Sequence, residues 1–293
     1  MCGTSYHYYF AGAGIVICRS LTKRRTAMLR IAAAVTVVIL GAMLNPGTAR
    51  ASTGLGDGDV QIARTAQDFS YRTYNRHWSV VAVQPAATAD WDLALRDSSG
   101  TTVASSLYGV GQTDFVAVDS NIGRRPFGSY TATVTQYTPG VYWIQQRTGA
   151  DTITIPAITH HGVTGPSDPD LAFVSLADND VVSIADIHLS AGEQFWANTT
   201  TAWSTLLLIE SDLSVPTTFA QGRATATARQ HTQVLDGCTL YTAQRTGWHA
   251  LVMIGNRAPT THTPPQGTAY ALHRVDPSTP TNCPQRNFPA PTP

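Results

Sequence analysis

The chain has 293 residues, a formal net charge of zero at pH 7, and charged side chains at only 13% of its positions. Proteins that hold nucleic acid electrostatically carry a basic stripe, and none follows residue 51, so we expect no nucleic-acid partner. The same charge balance argues against tight binding to anionic membranes.

The first 51 residues predict an export signal. A positive flank precedes a largely apolar run at residues 31–44, and Ala49 and Ala51 provide a small-residue cleavage site. That order of segments defines a secretory signal peptide, which we expect to be cleaved after Ala51. A retained membrane anchor is the alternative, but a bilayer span needs about 20 apolar residues and this run is shorter. We therefore predict a leader at residues 1–51, a secreted mature protein and no membrane partner; Met28 would make a more usual start than Met1.

The mature chain predicts an all-β fold. Short runs rich in Val, Ile, Thr and aromatic residues are separated by Gly, Asp, Asn and Pro. Several runs alternate polar and apolar residues, as strands with one buried face do. Short strands separated by turn residues are typical of β-sandwiches. We predict two tandem β-sandwich domains at residues 52–157 and 158–278, followed by a Pro-rich tail at residues 279–293.

The two halves also share a weak sequence similarity. The segment WDLALRDS at 91–98 resembles WSTLLLIES at 203–211, and GVYWI at 140–144 resembles GWHAL at 247–251. In each half a strand with an acidic turn precedes a strand that starts at Gly and carries aromatic residues. This pattern favours a divergent tandem repeat.

Two of the four cysteines remain after cleavage, Cys238 and Cys283. One cysteine pair in an exported protein predicts a disulfide. Its loop of about 45 residues would contribute on the order of 4 kcal/mol in the chain-entropy model. Metal ligation and a free thiol are the alternatives, and the wide spacing disfavours a zinc site.

Part of the first half resembles a known module. The residues that carry the resemblance are DWDLALRDSSG at 90–100, TDF at 113–115 and TPGVYWI at 138–144. Together they are similar to the bacterial pre-peptidase C-terminal domain, over roughly residues 78–155, and the second half matches only at its last strand. The resemblance implies a jelly-roll-like β-sandwich that is not itself catalytic. It also implies binding of substrate polymers or of calcium, as some members of the family show.

Pairs of aspartates make calcium a possible cofactor. Asp90 and Asp92, and likewise Asp178 and Asp180, are two residues apart, which places both side chains on one face of an extended chain. Calcium takes six to eight oxygen ligands of this kind. Acidic turns explain the same residues, because Asp stabilises turns locally.

Aromatic residues are the other candidate for ligand binding. We select Tyr71, Tyr74, Tyr137 and Tyr142, because exposed tyrosines are typical contact residues for a peptide or a glycan. For the tryptophans at 78, 91 and 143, core packing is the favoured interpretation.

The sequence lacks the common catalytic signatures. Neither a G-x-S-x-G elbow nor an H-E-x-x-H motif occurs. The histidines at 77, 188, 249 and 273 have no partner at a useful spacing. We therefore predict a secreted, non-catalytic protein that recognises an extracellular polymer or protein. A hydrolase with Asp and His at the domain junction, and a structural component of the cell envelope, are the alternatives.

Overall fold

The computed structural model describes residues 52–73, 77–119, 128–149, 152–159, 170–177, 179–199, 204–210, 219–221, 232–234, 238–255 and 268–278. Within these residues every regular element is a β-strand, which confirms the all-β prediction. The strands are β1 (Ser52–Gly54), β2 (Val60–Ala63), β3 (Gln67–Arg72), β4 (Trp78–Pro85), β5 (Asp90–Arg96), β6 (Thr102–Ser106), β7 (Asp114–Asp119), β8 (Ser129–Thr138), β9 (Tyr142–Thr148), β10 (Thr152–Ile153), β11 (Leu171–Leu176), β12 (Val182–Leu189), β13 (Gln194–Thr199), β14 (Ser204–Ile209), β15 (Phe219–Gln221), β16 (Thr232–Val234), β17 (Cys238–Thr242), β18 (Gly247–Gly255) and β19 (Thr268–Arg274).

These strands form four sheets. Sheet A has the order β1-β3-β8-β5-β6, and sheet B the order β15-β7-β4-β9-β2. Sheet C has the order β10-β12-β18-β14-β16, and sheet D the order β11-β19-β13-β17. Most neighbours are antiparallel, while β1 with β3 and β10 with β12 are parallel.

Three apolar cores show how the four sheets stack. The first core joins sheets A and B and includes Phe69, Trp91 and Tyr142. The middle core joins sheets B and C through side chains such as Trp78 and Leu207. The third core joins sheets C and D. The layer order is therefore A, B, C, D, with B and C covered on both faces.

This layering explains two kinds of strand sequence. In sheet A, β5 carries Trp91, Leu93 and Leu95 toward the core and leaves the residues between them more exposed. In sheets B and C, by contrast, every residue of β4, β7 and β14 is buried. A continuous apolar run is what a strand needs when neither of its faces meets water.

The two halves of the chain are interlocked. The short strand β10 follows β9 along the chain but pairs with β12 in sheet C. The strand β15 comes from the second half but pairs with β7 in sheet B. The described residues all belong to one compact unit. The domain boundary after residue 157 stays a prediction. Each half contributes one strand to a sheet of the other half across this position.

One of the two segment pairs that suggested a repeat does not occupy equivalent places, whereas the other pair leads into β9 and β18, which both lie in inner sheets. In the pair that differs, β5 lies in the outer sheet A between β8 and β6. Its proposed counterpart, β14, lies in the inner sheet C between β18 and β16. One strand therefore has one covered face and the other has two.

One turn has the geometry that its residues predict. The Asp97 Oδ1 atom accepts the main-chain N–H of Ser99 at 2.9 Å and of Thr101 at 3.1 Å. Gly100 has a φ of +82°, which a side chain would oppose.

Several sequence predictions lie outside the described residues. They are the leader up to residue 51, Tyr74, Asp178, Cys283 and the tail from residue 279. Among the residues that are described, we find no helix long and apolar enough to cross a bilayer.

Candidate functional site

Two of the predicted contact tyrosines are core residues, which corrects that part of the prediction. The Tyr142 ring is fully buried between Phe69 and Trp91, with centroids 6.4 Å and 4.6 Å away, and its hydroxyl donates to the Thr65 carbonyl at 3.1 Å. Tyr71 is also buried, and its ring stacks on Tyr130 at 5.8 Å. Alternating strands bury every second side chain, and both tyrosines fall on the inner set.

The tryptophans mostly pack into cores. Trp91 lies in the first core, and Trp78 in the middle core, where its Nε1 donates to the Trp248 carbonyl at 3.4 Å. Trp143 is half-buried against the same middle core. The core interpretation therefore holds for Trp78 and Trp91, and Trp78 joins the two halves of the chain.

Tyr137 is the candidate that remains on the surface. It is 78% exposed near the end of β8. The loops 86–89, 107–113 and 139–141 lie at the same end of the first sandwich, since Thr138 pairs with Asp90 and Tyr142 with Pro85. Two main-chain bonds join these loops: Gly111 N donates to Ala89 O at 2.8 Å, and Ala86 N donates to Val141 O at 2.9 Å.

We call the three loops together with Tyr137 the loop face. Besides Tyr137, it exposes Leu107 at 67% and Val110 at 50%. Gly111 has a φ of +72°, and a Cβ there would meet the Ala87 carbonyl, so this tight loop requires glycine. Three large apolar side chains at one end of a sandwich mark a candidate interaction surface.

A group of carboxylates lies beside the loop face. Asp114 is fully buried, and its Oδ1 accepts the Ser106 hydroxyl and, at 3.1 Å, the Tyr108 N–H. Burial above all, together with the Asp92 and Asp90 charges, raises the pKa of Asp114 to about 7, although the hydrogen bonds from Ser106 and Tyr108 lower it. Burial, and then repulsion from Asp90, also raises the pKa of Asp92. The region therefore has a negative potential that a cationic group would relieve.

The described aspartates do not assemble a calcium site. No set of three or more His, Cys, Asp or Glu side chains in the described ranges is placed to hold a metal ion. Asp180 instead accepts hydrogen bonds from Gln145 Nε2 at 2.6 Å and Arg147 Nη2 at 2.9 Å. Asp90 and Asp92 supply far fewer oxygens than calcium needs. A calcium site that also uses Asp178 stays a prediction.

A histidine and an aspartate meet where the two halves join. His77 Nδ1 lies 2.8 Å from Asp186 Oδ2, and Asp186 Oδ1 accepts the Trp78 N–H at 3.3 Å. Asp186 is buried, whereas the His77 side chain is 36% exposed. A carboxylate in this position orients the imidazole and favours the tautomer with its proton on Nδ1. Close by, Trp248 packs edge-on against His188 at 5.3 Å.

A second buried polar group is centred on Glu210, at the end of the second half that also contains Asp186. Glu210 Oε1 accepts the Tyr241 hydroxyl and, at 2.8 Å, the Gln244 N–H, and His249 Nε2 is 3.5 Å away. Burial opposes the charge on Glu210, but the nearby His249 and the hydrogen bonds from Tyr241 and Gln244 together lower its pKa. Burial, and then the hydrogen bond to Glu210 and the Glu210 charge, raise the pKa of Tyr241 far above its ordinary value. This network is enclosed, and we assign it a structural role.

Sequence reasoning missed Asp114, Asp186 and Glu210. Each lies in or directly after a strand whose residues are mostly buried, and a carboxylate in such a strand is a usable signal of a paired or perturbed group. The partner of Asp186 is 109 positions away, so no local pattern could identify it. Cys238 begins β17 and is half-buried, and its pairing with Cys283 stays a prediction.

Comparisons with known proteins give no family. No protein-family model matches the chain. No curated protein matches it either. Among solved structures, the PBSX exported protein XepA is similar at a TM-score of 0.26 and 10% identity, covering 75% of this chain and 88% of its own. A D431N mutant of the VP2 protein of infectious bursal disease virus has a TM-score of 0.15 and 10% identity, covering 80% and 74%. Scores this low bear on neither fold nor function.

Proposed function

We propose that the mature chain, residues 52–293, is a secreted, non-catalytic protein that binds an extracellular polypeptide through its loop face. The observation that carries the proposal is the grouping of Leu107, Val110 and Tyr137, all exposed, at one end of the first sandwich. The resemblance of residues 78–155 to the pre-peptidase C-terminal domain supports it, because some members of that family help to bind substrate polymers.

The chemistry of the loop face favours a polypeptide over a glycan. Sugars stack on planar rings, and the loop face has one exposed ring, Tyr137, and one half-buried ring, Tyr108, beside the two exposed aliphatic side chains. Leu107 and Val110 instead suit apolar side chains of a partner. The negative potential around Asp90 and Asp92 suits a neighbouring Lys or Arg. The predicted ligand is therefore an apolar polypeptide segment that carries a basic residue.

The test is a sedimentation assay of residues 52–293 with insoluble elastin and denatured collagen as polypeptides, and chitin, cellulose and peptidoglycan as glycan-containing polymers. We expect binding to a polypeptide, and a loss of about tenfold or more in the variant Leu107→Ser/Tyr137→Ser, since a few anchors carry most binding energy. The control is Ile62→Ser, which changes an exposed apolar residue on β2. Retained binding in the double variant, or binding to a polysaccharide alone, would contradict the proposal.

A hydrolase at the junction is the second candidate, favoured by the His77–Asp186 pair. An imidazole oriented by a buried carboxylate is the arrangement of a general base. Hydrolysis of casein or p-nitrophenyl acetate that is lost in His77→Gln but retained in His188→Gln would establish it. Absence of turnover for all substrates, with polymer binding intact, favours the binding protein. Absence of both turnover and binding favours a structural envelope component.

A further inference from the structure

A carboxylate lies next to the exposed ring of the loop face. Asp90 begins β5, which pairs with β8. Along this pair Asp90 lies opposite Thr138, and Trp91 lies opposite Gln136. Tyr137 is therefore an extra residue on β8 and forms a β-bulge, a feature that re-aims a side chain. The bulge places the 78% exposed Tyr137 directly beside the residue that pairs with Asp90.

Another carboxylate, Asp114, lies behind the loop that carries Leu107. It is the first residue of β7, and Val116 on the same side of that strand packs into the first core. Asp114 therefore points into the space between sheets A and B. Its Oδ1 accepts the Ser106 hydroxyl and, at 3.1 Å, the Tyr108 N–H. These two residues flank Leu107, so Asp114 holds the loop on both sides of an exposed apolar side chain.

Asp90, Asp92 and Asp114 form one electrostatic group, which we call the acidic group. Burial is the largest cause of the raised pKa of Asp114, and the charges of Asp92 and then Asp90 add to it. Burial, and then the charge of Asp90, raises the pKa of Asp92. Like charges act in this way only on near neighbours.

Two oxygen atoms of the acidic group are buried without a partner. Asp90 is 6% exposed and Asp114 is 0% exposed, and Asp90 Oδ1 and Asp114 Oδ2 accept no hydrogen bond within the described part of the chain. Single unpartnered atoms also occur elsewhere, for example at Asp68 and Thr133, and mark no site by themselves. Here two such atoms belong to carboxylates that repel each other, and Asp92, the third member, is only half-buried. The acidic group can therefore be reached through Asp92.

The described elements around Asp114 bring no positive charge to it. β4 places Val83 opposite Asp114, β6 and the following loop contribute Ser106 and Tyr108, and β5 contributes the other two carboxylates. Among the described residues, every charge that acts on Asp114 or Asp92 is negative. A positive group from a ligand would therefore relieve the repulsion.

A cationic side chain fits the acidic group better than a metal ion does. No three described His, Cys, Asp or Glu side chains are placed to hold a metal ion, because a cation such as calcium requires its oxygen ligands within about 2.6 Å. A guanidinium group carries five N–H donors on a planar frame, so it can bond carboxylates that lie too far apart to share a metal ion. Tyr137, beside the partner of Asp90, also offers a ring to such a group.

We propose that Asp90 and Asp92 form a subsite of the loop face for an arginine side chain of the bound polypeptide, and that Asp114 releases a proton when this arginine binds. The inference rests on the proposed binding of a polypeptide through the loop face. The Asp114 carboxylic acid becomes a carboxylate and its proton passes to water, while Oδ1 keeps its bonds from Ser106 and Tyr108. By linkage, an arginine that favours the ionised form of Asp114 binds more tightly as the pH rises.

The first test is an NMR titration of the Asp114 carboxyl carbon in residues 52–293, from about pH 5 to about pH 9. The probes are N-acetyl-argininamide and its neutral analogue N-acetyl-citrullinamide. We expect the saturating arginine probe to lower the pKa of Asp114 by about one unit, and the citrulline probe to leave it unchanged. Asp92→Asn should remove the effect, whereas the control Asp57→Asn, at an exposed carboxylate that accepts the Thr148 N–H, should retain it.

The second test repeats the sedimentation assay with denatured collagen at pH 6 and pH 8. A decrease of one unit from a pKa of about 7 predicts about fivefold tighter binding at pH 8. Asp114→Asn cannot ionise, so its affinity should be equal at the two pH values. Denatured collagen whose arginines are blocked with a dicarbonyl reagent should also bind equally at both.

Three results would overturn the proposal. The first is an equal effect of the two probes, including no effect of either. The second is an Asp114 carboxyl that already titrates below about pH 5 without a probe. The third is calcium chloride that lowers the pKa of Asp114 at a smaller concentration than the arginine probe does, since the group would then bind a metal ion.

The two tests also separate this proposal from the proposed function. If the arginine probe lowers the pKa of Asp114 but no polypeptide sediments with the protein, the arginine subsite stands and polypeptide binding fails. If a polypeptide sediments equally at both pH values and the probes have the same effect, polypeptide binding stands and the arginine subsite fails.

Discussion

At the scale of single residues, the raised pKa of Asp114 predicts how the stability of the protein changes with pH. Its carboxyl is buried near Asp92 and Asp90, and its pKa rises to about 7, against about 3.9 in an unfolded chain. Between these two values the folded state holds the proton more tightly than the unfolded state does. Asp114 therefore contributes a decrease in the free energy of unfolding as the pH rises from about 4 to about 7.

Replacing Asp114 with Asn tests this directly. The amide oxygen can still accept from Ser106 and Tyr108, but the side chain cannot ionise. We expect little change in stability at pH 4.5 and a gain of about 1–3 kcal/mol at pH 7.5, at about 1.4 kcal/mol per pKa unit. Urea unfolding at both pH values is the measurement, with the exposed Asp57→Asn as control. A variant less stable than the parent at pH 7.5 would show that the charge is compensated in the folded state.

Gly149 is a residue whose missing side chain makes the junction possible. A Cβ at this position would overlap Asp186 Oδ1 and press on the Trp78 carbonyl. We expect Gly149→Ala to cost about 1–3 kcal/mol, since Asp186 must leave His77 and Trp78 or the backbone must shift. Gly54→Ala is the matched control, because nothing lies within 4 Å of its Cβ. Equal urea midpoints for the two variants would refute the close contact.

At the scale of elements, β9 binds the second half of the chain through one glutamine. Gln145 Oε1 accepts the N–H groups of Val181 at 2.7 Å and Val182 at 3.0 Å. Its Nε2 donates to the Gly58 carbonyl and to Asp180. The Gln145 side chain lies in sheet B and accepts hydrogen bonds from the N–H groups at the start of β12 in sheet C. The contact therefore joins two different elements.

We expect Gln145→Leu to lower the free energy of unfolding by about 2–4 kcal/mol, because two buried N–H groups lose their acceptor. The control is Gln146→Leu on the same strand, also buried, whose amide donates to Thr148 within its own strand. It should cost about 1 kcal/mol, and urea unfolding of both variants is the measurement. Similar losses in the two variants would mean that the contact between the halves contributes no more than a local bond.

At the scale of the whole molecule, the middle core makes the two halves interdependent. It buries Trp78, Val80 and Phe115 of the first half against Val182 and Leu207 of the second. The strands β10 and β15 each pair with the sheet of the other half. This interface covers the faces that sheets B and C turn toward each other, so it resembles a domain core more than a contact between independent domains.

We therefore predict that residues 52–293 unfold in one cooperative transition. Calorimetry should give a van't Hoff enthalpy equal to the calorimetric enthalpy. The fragment 52–157 should not fold stably, because it exposes the apolar side of sheet B and lacks β15. Two separate transitions, or a fragment with the native exchange protection of sheet A and sheet B, would show instead that the halves are autonomous.

Local chemistry alone determined the all-β class and the turn at Asp97–Gly100, because strand alternation and turn formation involve only neighbouring residues. The continuous apolar runs of β4 and β14 also contained the signal for strands covered on both faces. Only the tertiary structure decided which aromatic rings are buried, since Tyr71 and Tyr142 differ from the exposed Tyr137 by the face of the strand and the sheet that covers it. It also decided which carboxylates meet: Asp186 with His77, and Asp114 with Asp92 and Asp90. These contacts depend on how four sheets stack, and stacking joins residues that no spacing along the chain relates.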